Sequence, residues 1–362
     1  MARRSTRRDF LRGLSAADAL GDAREQAPPE SRAGAKSAYA VHISRRAMAC
    51  EFEIVLNAGQ YEGGTELALD ALDLVESLES QLSYFRPESE LARINRQAGE
   101  QAVAIEPRLF ELLEFAQEVY RQTQGAFDLT ATPLWKAWGF ARRQGRLPDA
   151  AELAEAQRNT GGSMVELDAE LKTVRFSQPG VELSLGSIGK GYALDRAAEL
   201  LDRAGIEDYL LQGGQSSVLA RGARLMAAQS GVAGGWTVGL GNPLRPGKRL
   251  GEVRLRNRAL GTSGSAAQFF RHQGRRYSHI LDPRTGWPAE GLLSATVLAP
   301  RAAAADALAT ALFVMGREKA LEFCADRPEL ATILVCPASK GPGFEIATAG
   351  LADDEFRLAA DQ

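Results

Sequence analysis

The chain has 362 residues, 45% of them hydrophobic, enough to bury a substantial core in one large domain or two moderate ones. Its formal net charge of −3 gives no global basic field, which argues against nucleic acid as a partner. Cys50, Cys324 and Cys336 are scattered without metal-ligand spacing, so neither a disulfide framework nor structural zinc is expected, and the last two read as core.

In residues 1–38 the basic stretch 6–12 resembles a twin-arginine export signal, a receptor-read address. The apolar run such a signal needs is broken by Asp18 and Asp22, so a periplasmic or exported destination and a cytoplasmic one with a basic tail both stay open. Residues 24–38, rich in Pro, Ala, Glu, Ser and Lys, read as a flexible linker. No run of about 18 apolar residues occurs, so no integral membrane span is expected.

The folded domain is expected over 39–350, with 351–362 as a C-terminal tail. Residues 39–56 alternate and read as a strand pair. Apolar residues at helical spacing over 66–82 predict a long helix, stopped near Pro87. A short helix over 89–96 follows, capped by Glu88 or Ser89, and then an amphipathic helix over 107–123. Residues 149–161 read as a polar helix, and 164–177 with 181–185 as a hairpin. A glycine-rich junction leads into a helix over 193–204. Strands are expected at 209–212, 217–221, 236–240, 251–255, 292–299 and 331–336, with a further segment at 344–347. Helices are expected at 302–315 and 319–325. Strands and helices are segregated rather than alternating, which points to an α+β fold.

Four places could carry chemistry. Gly186-Ser187-Ile188-Gly189-Lys190-Gly191 lies at a strand-to-helix junction, where backbone N–H groups and a lysine can approach an anion; a tight turn is the plain alternative. It matches neither a Walker A loop nor a dinucleotide fingerprint. Asp306 and Thr310, four apart, share a helix face and suit a hard cation such as Mg²⁺, although capping and back-bonding would explain them equally well. Phe127, Asp128, Trp135, Trp138 and Phe140 could line a pocket for a planar ring or simply pack a core. Residues 277–288 combine His279 and Asp282 with Pro/Gly turn chemistry in twelve positions; His42 and His272 read as surface or packing histidines.

Taken together and in order, these pieces resemble the FAD:protein FMN transferases of the ApbE family, long labelled thiamine-biosynthesis lipoproteins. The blocks are Met48-Ala49-Cys50, LSYFRPESELARIN (82–95), GAFDLTATPLWKAWGF (125–140), LSLGSIGKGYALD (183–195), Gly213-Gly214, Thr262-Ser263-Gly264, 278–288 and ADALATALFVMG (305–316). The resemblance implies mostly antiparallel sheets with packed helices and a cleft between subdomains. It implies FAD as substrate, with a ring against Met48, Phe85, Ala126, Phe127 and Asp128, and with Ser184, Lys190 and Ile280 in the same pocket. Mg²⁺ would be held by Asp306, Thr310 and a backbone oxygen near Ser187. His279 and Asp282 would be catalytic, His279 deprotonating a Ser/Thr hydroxyl of an acceptor flavoprotein so that FMN is joined and AMP released. Ser184, Gln215 and Ser265 stand where the family usually carries carboxylates, and Cys50 replaces a threonine. An FAD pyrophosphatase and an FAD-binding protein without turnover are the competing readings.

Overall fold

The computed structural model describes residues 39–225, 234–266 and 268–360; the twin-arginine-like segment and its linker lie outside them. β1 (Ala40–Ala47) and β2 (Cys50–Asn57) form the expected antiparallel pair, joined through Met48 and Ala49, both at positive φ. The long helix α1 (Gly64–Leu82) buries Ala68, Ala71, Leu72, Val75, Leu78 and Leu82, a stripe at the spacing read from sequence. Ser89 caps α2 (Glu90–Gln97) by accepting from the Ala92 N–H at 3.0 Å. After β3 (Val103–Ala104), α3 (Pro107–Gln122) starts on a proline, which loses no helical hydrogen bond there.

A short α4 (Thr132–Ala137) follows, and a reciprocal capping box between Asp149 and Glu152 opens α5 (Ala150–Arg158). β4 (Val165–Asp168) pairs with β5 (Thr173–Phe176), and α6 (Gly189–Arg203) comes next. The remaining elements are β6 (Tyr209–Gly213), β7 (Ser217–Arg221), β8 (Trp236–Gly241), β9 (Arg249–Leu255), β10 (Arg258–Gly264), β11 (Phe269–His272), β12 (Arg275–Ser278) and β13 (Ser294–Ala299). Then come α7 (Ala302–Met315), α8 (Arg317–Ala325), β14 (Ala331–Pro337), β15 (Phe344–Ala349) and β16 (Phe356–Leu358).

Eight strands form one antiparallel sheet in the order β1-β2-β6-β7-β10-β13-β14-β15. Period-two alternation sorts its side chains between two cores. Phe52, Ile54, Leu211, Leu219 and Ala259 join α1, α6 and α7 in the main core, while Val55, Leu210, Val218 and Leu260 meet the three-stranded sheet β16-β9-β8 on the other face. A third, smaller core gathers Leu134, Trp138, Phe140, Tyr277 and Leu281 beside the β11–β12 ribbon.

Two glycines let α7 sit against its neighbours. A Cβ on Gly191 would lie 2.2 Å from the Ala302 carbonyl oxygen, and one on Gly261 2.4 Å from the Ala305 carbonyl carbon. α7 itself is buried almost all round, as a helix apolar on every side must be.

Three expectations are corrected. Residues 181–185 are not a strand: the Asn95 side chain accepts from the Leu183 N–H at 2.8 Å and donates to its carbonyl at 2.9 Å, and Ser184 N–H reaches the Leu129 carbonyl. These bonds satisfy the backbone in place of a sheet ladder. α6 begins at Gly189, so Lys190 and Gly191 belong to its first turn rather than to the loop. The expected C-terminal tail is not free over its described part, residues 351–360, because β16 pairs with β9. β10, the β11–β12 ribbon and α4 carry glycine, arginine or short-turn patterns that gave no periodic signal.

Candidate active site

A cavity of about 520 Å³ opens where the main core meets the small aromatic core. Its lining includes the aromatic segment of Phe85, Ala126, Phe127, Asp128 and Trp135, together with Ser184, Ser187 and Lys190, and His279, Ile280, Asp306 and Thr310. Segments distant in sequence thus converge on one pocket.

Asp306 is 8% exposed, and its carboxylate accepts from Ser217 Oγ at 2.8 and 2.9 Å and from the Gly191 N–H at 2.8 Å. The last donor belongs to the first turn of α6, where unpaired N–H groups and the helix dipole favour a negative charge. Burial nevertheless raises the carboxyl to about 7, with Lys190 the main opposing influence. Lys190 Nζ is held by Ser216 Oγ. Thr310 Oγ1 lies 2.9 Å from Ser263 Oγ and makes a long back-bond to the Asp306 carbonyl.

His279 follows β12. Its backbone N–H and its Nδ1 both reach the carbonyl of Gln268, at 3.1 and 3.0 Å. Nδ1 therefore carries the proton and donates, and Nε2 keeps a free lone pair. Burial lowers the pKa of the ring, with the Gln268 bond opposing the shift, so the imidazole is neutral near pH 7. Gln268 in turn donates from Nε2 to the Phe140 carbonyl at 3.1 Å.

Asp128 accepts from Thr130 N–H and Oγ1 at 2.7 and 2.6 Å and from the Gly162 N–H at 3.0 Å. It ties the aromatic wall to the loop before β4, and burial raises its pKa. At the mouth, Phe85 is 68% exposed and meets Trp135 edge-on, with ring centroids 6.2 Å apart.

Met48 and Asp282 do not line the cavity. Met48 occupies the β1–β2 turn and packs partly buried against the main core. The Asp282 carboxylate forms a two-pronged pair with Arg284 at 2.8 and 2.8 Å, while its backbone closes the turn to Gly286 and Trp287. In this arrangement its groups are engaged in holding the turn. Sequence reasoning missed Ser216, Ser217, Asn95 and Gln268, whose roles depend on contacts distant in the chain; only Asn95 fell inside a recognised block.

Among the described residues no cluster of three or more His, Cys, Asp or Glu side chains forms a metal cage. The candidate ligand atoms of Asp306, Thr310 and Ser187 are oxygens, the type a hard cation takes alongside waters or phosphate oxygens. Asp306 Oδ1 accepts one hydrogen bond and so retains acceptor capacity, and its raised pKa marks a buried charge short of compensation. Asp306, Thr310 and Ser187 line the same cavity with oxygens of the kind a hard cation takes.

Fold and cavity together define an α+β protein in which a buried carboxylate, a lysine and a neutral histidine surround one aromatic-walled pocket. The chain belongs to the ApbE family, whose pattern matches residues 48–334. It is 29% identical over 316 residues to the FAD:protein FMN transferase of Haemophilus influenzae, covering 84% of this chain and 89% of that protein. It is 32% identical over 293 residues to that of Treponema pallidum, covering 78% and 80%. The flavin transferase ApbE of Vibrio cholerae superposes with a TM-score of 0.74 at 28% identity, covering 86% of this chain and 97% of that one.

Proposed function

We propose that the chain is an Mg²⁺-dependent FAD:protein FMN transferase that joins FMN to a serine or threonine hydroxyl of an acceptor protein and releases AMP. The observation that supports this most directly is that His279, Lys190, Asp306 and Thr310 line one cavity with an aromatic wall.

The acceptor oxygen attacks the FMN-side phosphorus, an O–P bond forms, and the P–O bond to the AMP half breaks. His279 Nε2 takes the hydroxyl proton, because Nδ1 is fixed as donor to Gln268 and the ring is neutral. Lys190, steadied by Ser216, offsets phosphate charge in the cavity. Phe85 and Trp135 offer ring faces and edges to a planar group at the mouth. When bound at Asp306, Thr310 and Ser187, Mg²⁺ would neutralise charge on the bridging and leaving phosphate oxygens.

The test is incubation of the full chain with FAD, Mg²⁺ and a threonine-bearing acceptor domain, read by mass spectrometry. An acceptor heavier by one FMN unit, lost in His279→Gln, supports the reading. AMP with free FMN and an unmodified acceptor would mark hydrolysis instead, and FAD binding without turnover would mark a binding protein.

A further inference from the structure

The β11–β12 ribbon carries an electrostatic arrangement that the transfer chemistry does not use. Arg271 and Arg276 are direct cross-strand partners, an opposition of like charges that weakens a sheet. Arg275, on the other face, is neutralised by Glu290 at 2.7 Å. Arg271 and Arg276 have no acidic partner among the described residues. Arg276 donates to the Ser265 carbonyl at 2.6 Å and stacks on the ring of Phe269 with 4.0 Å to the centroid, yet its Nε is buried without a hydrogen-bond partner. Phe269 is 44% exposed. The exposed Arg271 guanidinium, the half-buried Arg276 guanidinium opposite it and an exposed ring form a seat for a planar anion, since guanidinium forks match carboxylates.

The position of this seat names its occupant. Neither Arg271, Arg276 nor Phe269 lines the cavity, so its ligand arrives from outside the nucleotide pocket. Gln268, whose carbonyl holds both the backbone and the ring of His279, immediately precedes β11. A chain seated on the ribbon is therefore held by the same short unit that orients the base.

We propose that the Arg271/Arg276 face of the ribbon docks an acidic side chain of the acceptor protein and so helps select the hydroxyl presented to His279. This rests on the transferase reading above.

Two fluorescent threonine-centred peptides, one flanked by aspartates and one by asparagines, serve as probes against the full chain loaded with FAD. Anisotropy should show the aspartate peptide binding roughly five- to tenfold tighter, with the difference shrinking in high salt. Arg271→Gln and Arg276→Gln should each remove most of that preference. Arg271→Glu, which pairs with Arg276 inside the ribbon, should abolish it, and because Arg271 is exposed this variant keeps the test valid if Arg276→Gln fails to fold. FAD dissociation is measured in parallel. Equal affinity of wild type for both peptides, or a preference that survives Arg271→Glu, overturns the proposal. A matching shift in FAD dissociation overturns it too, by assigning the pair to the nucleotide. FMN transfer to the peptides is scored separately by mass: an intact acidic preference with no transfer supports the docking face and counts against the transferase reading.

Discussion

The carboxylate of Asp195 accepts the backbone N–H of Ala302 at 2.7 Å, and its second oxygen takes the next N–H, of Ala303, at 2.9 Å. A residue of α6 thus caps α7, the helix that carries Asp306 and Thr310, and the residue at the cap position itself, Arg301, supplies no side-chain bond. Asp195→Ala orphans two buried donors. It should destabilise the protein by about 2 kcal/mol, read as a lower Tm, and weaken the Mg²⁺ binding proposed above, although Asp195 does not line the cavity. Asp195→Asn, which keeps an acceptor oxygen, should recover part of both losses.

Gly191→Ala and Gly261→Ala probe the same helix from its two sides. A methyl at either place meets backbone at 2.2 or 2.4 Å, and backbone cannot rotate away as a side chain can. Each variant should lose about 1–3 kcal/mol of stability and move α7 relative to the Gly191 N–H and Ser217 groups that hold Asp306. Denaturant midpoints measure the first effect and FAD titration the second. An unchanged midpoint would show that the helix approach is looser than these distances state.

The elements legible in the sequence are those whose periodicity is local. α1 and α3 bury one stripe each, and β6, β7, β13 and β14 are apolar runs bounded by turns, so their own residues sufficed. β10 was opaque because its centre, Gly261-Thr262-Ser263, is chosen for close approach to α7 rather than for strand propensity. The strand read at 181–185 failed for the opposite reason: its apolar alternation is real, but Asn95 satisfies its backbone from 88 positions away. Within the site, residue types announced Asp306, Lys190 and His279. Their partners Ser217, Ser216 and Gln268 are ordinary polar residues whose roles exist only once the sheet has formed.

His279 contributes an acid limb to the pH profile. An unfolded histidine titrates near 6.5, and burial pulls the folded group below that value. The neutral form of the base therefore predominates at pH 7, and the part of the fall in kcat/KM that His279 causes should lie below about 6.5, as the ring takes a proton, apart from the Asp306 carboxyl, which titrates near 7. Stability moves in the same direction. Because the folded pKa is depressed, the contribution of this group is present above the unfolded pKa and lost as pH drops through the folded one. His279→Gln should remove that acid limb, flatten the stability change over the same window, and lower kcat by about 10²–10⁴. An acid limb that persists unchanged in the variant would assign it to another group.

Glu182 joins the two walls of the pocket mouth. Tyr84, which precedes Phe85, donates to Glu182 Oε2 at 2.7 Å, and Lys136, which follows Trp135, reaches Oε1 at 2.7 Å. One carboxylate therefore fixes the neighbours of both mouth aromatics, and burial with the Glu182 contact holds the Tyr84 hydroxyl well above its usual pKa, firmly as a donor. Glu182→Gln keeps an acceptor for Tyr84 but discards the ion pair, whereas Glu182→Ala releases both walls. The lysine side is partly exposed, so its loss is a modest effect screened by salt. FAD KM should rise roughly twofold in Glu182→Gln and five- to tenfold in Glu182→Ala, with kcat nearly unchanged because no reacting atom is touched. Tyr84→Phe should resemble Glu182→Ala more than Glu182→Gln, since the hydroxyl is the buried half of the clasp. Equal losses in kcat and kcat/KM would instead place Glu182 in the transition state and remove its role as a clasp.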